Sequence, residues 1–299
     1  MITVFGSINM DLIATTTRLP KPGETVAGQS FTTAAGGKGA NQALTARRAG
    51  STVRMAGAVG ADGFAEPALA LLKDAGVLLD TVRPVSEPTG TAIILVGGDG
   101  ENMIAVVPGA NGAVSAKDAE KSIGLMSGRD ILMMQMEVPA DAIETAYRLA
   151  KAQGATTIFN TAPLTDDAIR LAGLADIVVS NETEFELLIG RSGLSADERV
   201  SAMRQMAERS EQTLVVTLGA DGVVAIHQGE ILQASGLKIT PVDTVGAGDT
   251  FCGYLAASLD QGLDFASALR RAAVAGSLAC LKAGAQPSIP SSDDVAEHI

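Results

Sequence analysis

Short apolar runs alternate with stretches of helical period along most of the chain. The run at 53–57 precedes a helical stretch at about 65–75, and the run at 131–134 precedes another at 140–152. Further runs fall at 156–159 and 177–179, and one at 213–217 follows a helical stretch near 197–209. A strand opens the chain at once, over residues 1–6. This alternation predicts a mainly parallel sheet with helices on both faces.

Two regions break the pattern. Residues 11–35 are rich in Thr and Gly and carry no long helix period. Residues 89–107 hold two β-like runs, 91–96 and 103–107, separated by Gly97-Gly98-Asp99-Gly100, a strong turn signal. The expectation is a small antiparallel sheet inserted into the α/β body, suited to covering a cleft or to dimerisation. The C-terminal third reads as two helices, about 249–261 and 264–282, whose Ala, Gly, Ser and Leu content permits close packing in a core.

Composition narrows the function classes. At 299 residues and 46% hydrophobic, the chain can bury one large α/β domain or two small ones. No run of eighteen apolar residues occurs, which argues against a membrane span, and no secretory pattern opens the chain. A net charge of −12 argues against nucleic acid as a partner. An anionic substrate must then be held by local devices such as magnesium, backbone N–H groups and a few lysines. Cys252 and Cys280 read as buried thiols in a reducing, cytoplasmic setting. His227 and His298 are far apart, and no zinc-type Cys/His cluster exists.

The most informative stretch is Asp243-Thr244-Val245-Gly246-Ala247-Gly248-Asp249-Thr250-Phe251. Small residues let a ligand approach the backbone. A helix start offers unpaired N–H groups and partial positive charge, an anion site suited to a phosphoryl group. Asp249 there is a plain helix cap or a proton acceptor for an attacking hydroxyl. An ordinary cap does not need Gly-Ala-Gly ahead of it, and a carboxylate beside an anion site is unfavourable without a task. Gly37-Lys38 is not a Walker A loop, because Thr32 and Gly39 stand where Gly and Ser or Thr are needed. No Gly-x-Gly-x-x-Gly follows the first strand, which weakens a nicotinamide-dependent oxidoreductase.

Asp-Thr-Val-Gly-Ala-Gly-Asp-Thr resembles the C-terminal signature of the ribokinase-like (PfkB) carbohydrate kinases. Gly36-Gly37-Lys38-Gly39-Ala40-Asn41-Gln42 resembles the family's glycine-rich sugar-binding signature, and Gly6-Ser7-Ile8-Asn9-Met10-Asp11 its first strand and sugar-contacting turn. Pro22-Gly23-Glu24-Thr25, Gln135-Met136-Glu137, Ser180-Asn181-Glu182-Thr183-Glu184 and Gly284-Ala285-Gln286-Pro287-Ser288 also match, in order, over nearly the whole chain. The resemblance implies a three-layer α/β fold with a mainly parallel central sheet. It implies one kinase domain over 1–299, with a small β lid from about 11–36 and 88–108, and a homodimer through that lid.

The resemblance also implies roles. Asn9, Asp11, Gly37, Lys38, Asn41 and Glu137 would bind the sugar, Asp249 would be the base, and the N–H groups of Gly246, Ala247 and Gly248 would stabilise the moving phosphoryl group. Asn181 and Glu184 would organise magnesium and phosphates through water; by residues alone they read as a helix cap and its capping box. Thr217, Gly219 and Gly222 would form the nucleotide-binding turn, with Gly248 and with Ala273 at the adenine. Asp243 and Ser288, with the carbonyls of Val245, Ala279, Lys282 and Gly284, would hold potassium. The implied reaction is ATP-dependent phosphorylation of a small sugar, D-ribose at O5 first, with deoxyribose, fructose, ketodeoxygluconate or a nucleoside as rival acceptors. A non-catalytic sugar sensor is the rival from another class. One departure is Asn160-Thr161-Ala162-Pro163, where the family often carries Asn-Pro-Ala-Pro.

Overall fold

The computed structural model describes residues 1–299. The chain runs β1 (Ile2–Phe5), β2 (Asn9–Thr16), β3 (Gly28–Gly36), α1 (Lys38–Arg48), β4 (Val53–Gly60), α2 (Ala65–Asp74), β5 (Leu78–Val85), β6 (Gly90–Val96) and β7 (Asn102–Val107). It continues through α3 (Ala116–Ile123), β8 (Ile131–Met134), α4 (Ala140–Gln153), β9 (Thr156–Asn160), α5 (Asp166–Ala172), β10 (Ile177–Asn181), α6 (Glu182–Leu188) and α7 (Ala196–Ser210). The last part is β11 (Thr213–Thr217), β12 (Val223–His227), β13 (Glu230–Ala234), α8 (Ala247–Asp260), α9 (Phe265–Ala279), α10 (Ala285–Ser288) and α11 (Ser292–Ala296).

Nine strands form the main sheet in the order β13-β12-β11-β10-β9-β8-β1-β4-β5. All its pairings from β11 to β5 are parallel, and only the β11–β12 and β12–β13 pairings are antiparallel, so β12 alone runs against the rest. Strand side chains point alternately to two cores, which is why the runs look continuously apolar in sequence. Met133, Val179 and Val215 join Ile2 and Val4 beneath α1, α8 and α9. Leu132, Met134, Val178, Leu214 and Val216 join Phe5 on the face covered by α4, α5 and α7.

The second sheet has the order β3-β2-β6-β7. It differs from the expected antiparallel sheet in one respect: β2 and β6 pair in parallel, flanked by antiparallel β3 and β7. Each of these two strands follows a parallel strand of the main sheet, β1 and β5, and leaves it in the same direction. The sheet also begins at Asn9, earlier than the pattern predicted, so Asn9 and Asp11 sit on a strand and not in a turn.

The last connection leaving this sheet is fastened to the first one entering it by Asn111, which is 1% exposed. Its Oδ1 accepts from Ile8 N at 2.9 Å, while its Nδ2 donates to Ile8 O at 3.1 Å and to Asn9 Oδ1 at 2.6 Å.

Candidate active site

The expected site residues gather at the carboxyl ends of the parallel strands, where open α/β sheets bind ligands. Glu137 follows β8, Asn160 ends β9, and Asn181 and Thr217 are register partners at the ends of β10 and β11. The second sheet supplies Asn9 and Asp11.

Gly246 caps α8 with φ 78°, a left-handed conformation that favours glycine. A Cβ on it would also stand 2.9 Å from Ala285 Cα. Asp249 is therefore the third residue inside the helix and does not cap it. The N–H groups of Gly246, Gly248 and Asp249 donate to no protein acceptor, and that of Ala247 makes only a 3.3 Å bond to Thr244 O. Three of the first N–H groups of a buried-side helix are thus free for an anion. Nothing lies within 4 Å of where a Gly248 Cβ would stand, so that flank of the helix start is open.

Asp249 itself is 7% exposed. Its Oδ2 accepts from Asn41 Nδ2 at 2.9 Å and its Oδ1 from Gln42 Nε2 at 3.0 Å. Close packing of α1 and α8 makes this possible: a Cβ on Gly253, one turn below Asp249, would stand 2.5 Å from Thr45 Cβ, one turn below Asn41. Asn41, expected at the sugar, thus spends its donor on Asp249, and its Oδ1 is buried without a partner.

Asp11 is partly buried and makes no hydrogen bond in the protein, so both its oxygens are free acceptors. Burial pushes its carboxyl up to about 6, with Glu137 and Asp249 adding repulsion. Lys38 is the first residue of α1, after Gly37, which has φ 89°. Asp249 foremost, then Glu137 and Glu184, raise its pKa against the effect of burial. Glu137 is tied down more than expected of a sugar contact: its Oε2 accepts from Ser7 Oγ at 2.5 Å and from Lys38 N at 3.0 Å, a carboxylate at a helix start. Its Oε1 remains for a ligand.

Asn181 and Glu184 do form the capping box, with Glu184 N to Asn181 Oδ1 at 2.8 Å and Asn181 N to Glu184 Oε2 at 3.0 Å. The departure at Thr161 touches this pair, since its hydroxyl donates to Glu184 Oε2 at 3.2 Å, a bond proline cannot make. No group of three His, Cys, Asp or Glu side chains is placed to hold a metal ion directly, which fits magnesium carried by phosphates and water, with Glu184 Oε1 still free.

Gly219 and Gly222 both have positive φ, 56° and 90°, in the turn after β11. Ala273 is 8% exposed on α9, and its carbonyl accepts from Ser277 Oγ at 3.0 Å, so it presents little surface to a base.

Asp243 stitches two loops together, accepting from Val245 N at 3.0 Å and Gly284 N at 2.8 Å. The carbonyls of Val245, Ala279 and Lys282 accept no backbone hydrogen bond. One carboxylate among unpaired carbonyls is a donor set that fits a monovalent cation. Ser288 Oγ donates to Ala285 O at 2.9 Å within the same segment.

Sequence reasoning missed the residues behind the site. Gln42, Gln135, Asn160, Ser7 and Asn111 hold the functional side chains through contacts distant in sequence. Gln42, Gln135, Ser7 and Asn160 did lie inside the quoted motifs, the only signal that could have found them, and Asn111 lay outside all of them.

A free helix start beside a buried carboxylate, under a small sheet carrying a second carboxylate, defines a carbohydrate kinase that transfers a phosphoryl group to an alcohol. The chain belongs to the pfkB family carbohydrate kinases, whose family model matches residues 1–292. It is similar to a ribokinase of Haemophilus influenzae, 34% identical over 100% of this chain and 98% of that protein. It is also similar to a deoxyribokinase of Salmonella typhimurium, 31% identical over 100% and 98%. Among solved structures it resembles Arabidopsis thaliana ribokinase complexed with ribose and ATP, with a TM-score of 0.89, 32% identity and coverage of 99% and 97%.

Proposed function

We propose that this kinase phosphorylates D-ribose at O5 with ATP as donor. The observation that carries the reading is Asp249, buried at a helix start whose N–H groups are free. Support for ribose comes from the ribokinase relatives and from the Arabidopsis complex, which contains ribose and ATP.

The sugar lies between the second sheet and α1. Asp11 accepts from two neighbouring hydroxyls, with Asn9, the Gly37–Lys38 backbone and Glu137 Oε1 around it. Asp249 accepts the proton of the attacking hydroxyl as the O–P bond forms and ADP leaves. The N–H groups of Gly246 and Gly248, with Lys38, stabilise charge on the moving phosphoryl group. The nucleotide lies along Thr217, Gly219 and Gly222 toward Ala273. Magnesium arriving with ATP would neutralise charge on the phosphates, and Asn181 and Glu184 would hold it through water. Potassium in the Asp243 loops would keep the α8 start in shape. The second sheet acts as a lid, and its exposed Phe31, Ile93 and Met103, which lie on one face of it, form an apolar patch suited to a second copy of the chain.

Asp249→Asn is expected to fold normally and to lose at least about 10²-fold in kcat, measured as sugar-dependent ADP release. Near-wild-type turnover would sink the assignment. The rival acceptor, deoxyribose, is favoured by the deoxyribokinase likeness and is separated from ribose by kcat/KM in the same assay.

A further inference from the structure

We infer that Gln42 is a positioning residue for Asp249, and that Gln135 fixes Gln42 in the orientation this needs. The inference rests on Asp249 as the base.

Gln42 and Gln135 are both 0% exposed. Buried amides are costly unless hydrogen-bonded, so their partners matter. Gln42 Nε2 donates to Asp249 Oδ1 at 3.0 Å and to Asn160 Oδ1 at 3.3 Å. Gln135 Nε2 donates to Gln42 Oε1 at 2.6 Å. An ionised carboxylate only accepts, so Gln42 must turn its NH2 to Asp249. Its oxygen then faces Gln135, which must present an NH2 in turn. Gln135 Oε1 is left buried without a partner, packed against Gly6 at the end of β1. The charge on one carboxylate thus dictates the direction of two amides, and the chain ends in an unsatisfied oxygen. A merely space-filling pair of glutamines would have no reason to carry that cost.

The chemical effect is on the proton. A fixed NH2 donor stabilises the ionised form of the carboxylate and cannot pair with the protonated oxygen. Gln42 therefore keeps Asp249 ready to accept a proton, although it touches no reacting atom. The other charged or titratable groups facing Asp249 are Asp11 on β2, Lys38 on α1 and the Cys252 thiol on α8, with Glu137 and Glu184 acting on Lys38 from beyond. At Oδ1 Gln42 is the one donor the protein supplies.

The test is the pH profile of kcat at saturating sugar and magnesium–ATP, followed from about pH 9.5 down through the parent's acid limb, where kcat reports groups in the bound complex. Gln42→Leu removes the donor at similar size. Its acid limb should move up by about one to two pH units, the worth of one hydrogen bond to a charge. Turnover below the parent's limb would then be about ten- to a hundredfold under the parent's, and the two would converge well above the shifted limb. A uniform loss with the limb unmoved, or a wild-type profile, overturns the inference and leaves Asp249 as base. If Gln42→Leu does not fold, Gln135→Met decides: it frees the Gln42 amide, and a limb shifted the same way by a smaller amount supports the inference, whereas an unmoved limb overturns it. Asp249→Asn is run beside them. Activity there at all pH values sinks the base itself, a result distinct from either glutamine outcome.

Discussion

Asp11→Asn should make the protein more stable and a worse enzyme at once. Asp11 carries a carboxyl pushed up from 3.8 to about 6, first by burial and then by Glu137 and Asp249. For an acid raised in the folded state, the stabilising contribution is full below 3.8 and is lost as pH rises through about 6. Two pH units correspond to about 3 kcal/mol, an upper bound because the side chain is only partly buried. The amide keeps the shape and removes the charge. Urea unfolding at pH 8 should therefore find the variant about 2–3 kcal/mol more stable, and the gain should shrink to about half by pH 5. The cost appears in sugar binding. An amide oxygen replaces two charged acceptors, which should raise KM for ribose about 10- to 100-fold, the worth of one hydrogen bond to a charge. A variant equally stable or less stable at pH 8, or a gain that does not change with pH, would refute the placement of Asp11 as an unpaired acid among like charges.

Three further outcomes follow from the geometry. Gly248→Ala meets nothing within 4 Å, so it should fold at least as well as the parent, while its methyl group intrudes where the phosphoryl group approaches and cuts kcat at least about tenfold; unchanged ADP release would count against that approach path. Asp243→Ala removes the acceptor joining Val245 N to Gly284 N, and the rate of the variant should no longer respond to potassium over sodium; a parent-like response would remove the cation from this loop. Met103→Asp, on a strand whose six residues are all exposed and on the face shared by Phe31 and Ile93, should shift the mass seen by light scattering from two chains to one; an unchanged mass would place any dimer contact elsewhere.

The α/β body is legible in the sequence because both faces of its sheet are buried, which leaves uninterrupted apolar runs between helices. The β2–β6 pairing was not legible, since the partner residues are 81 apart in the chain and a turn signal only announces the local hairpin, β6 with β7. Asp249 could be singled out because a helix start with Gly-Ala-Gly is a local device. That Asn41 and Gln42, both inside a quoted motif, donate to it could not be read, because a buried amide looks the same in sequence whether it holds a base or fills a core. Ala273 is matched by motif alone, and at 8% exposed it offers a base little surface of its own.

Asn111 stands just beyond β7, where the chain leaves the small sheet for the last time, and its side chain holds Ile8 and Asn9, where the chain first enters it. The first connection and the last are thus fastened to each other although they are 103 residues apart. A displacement of this end of the sheet would move the start of β2 and the exit from β7 together, and Asp11, two residues past Asn9, would go with them. In the proposed function the sugar's cover and its acceptor would then travel as one body.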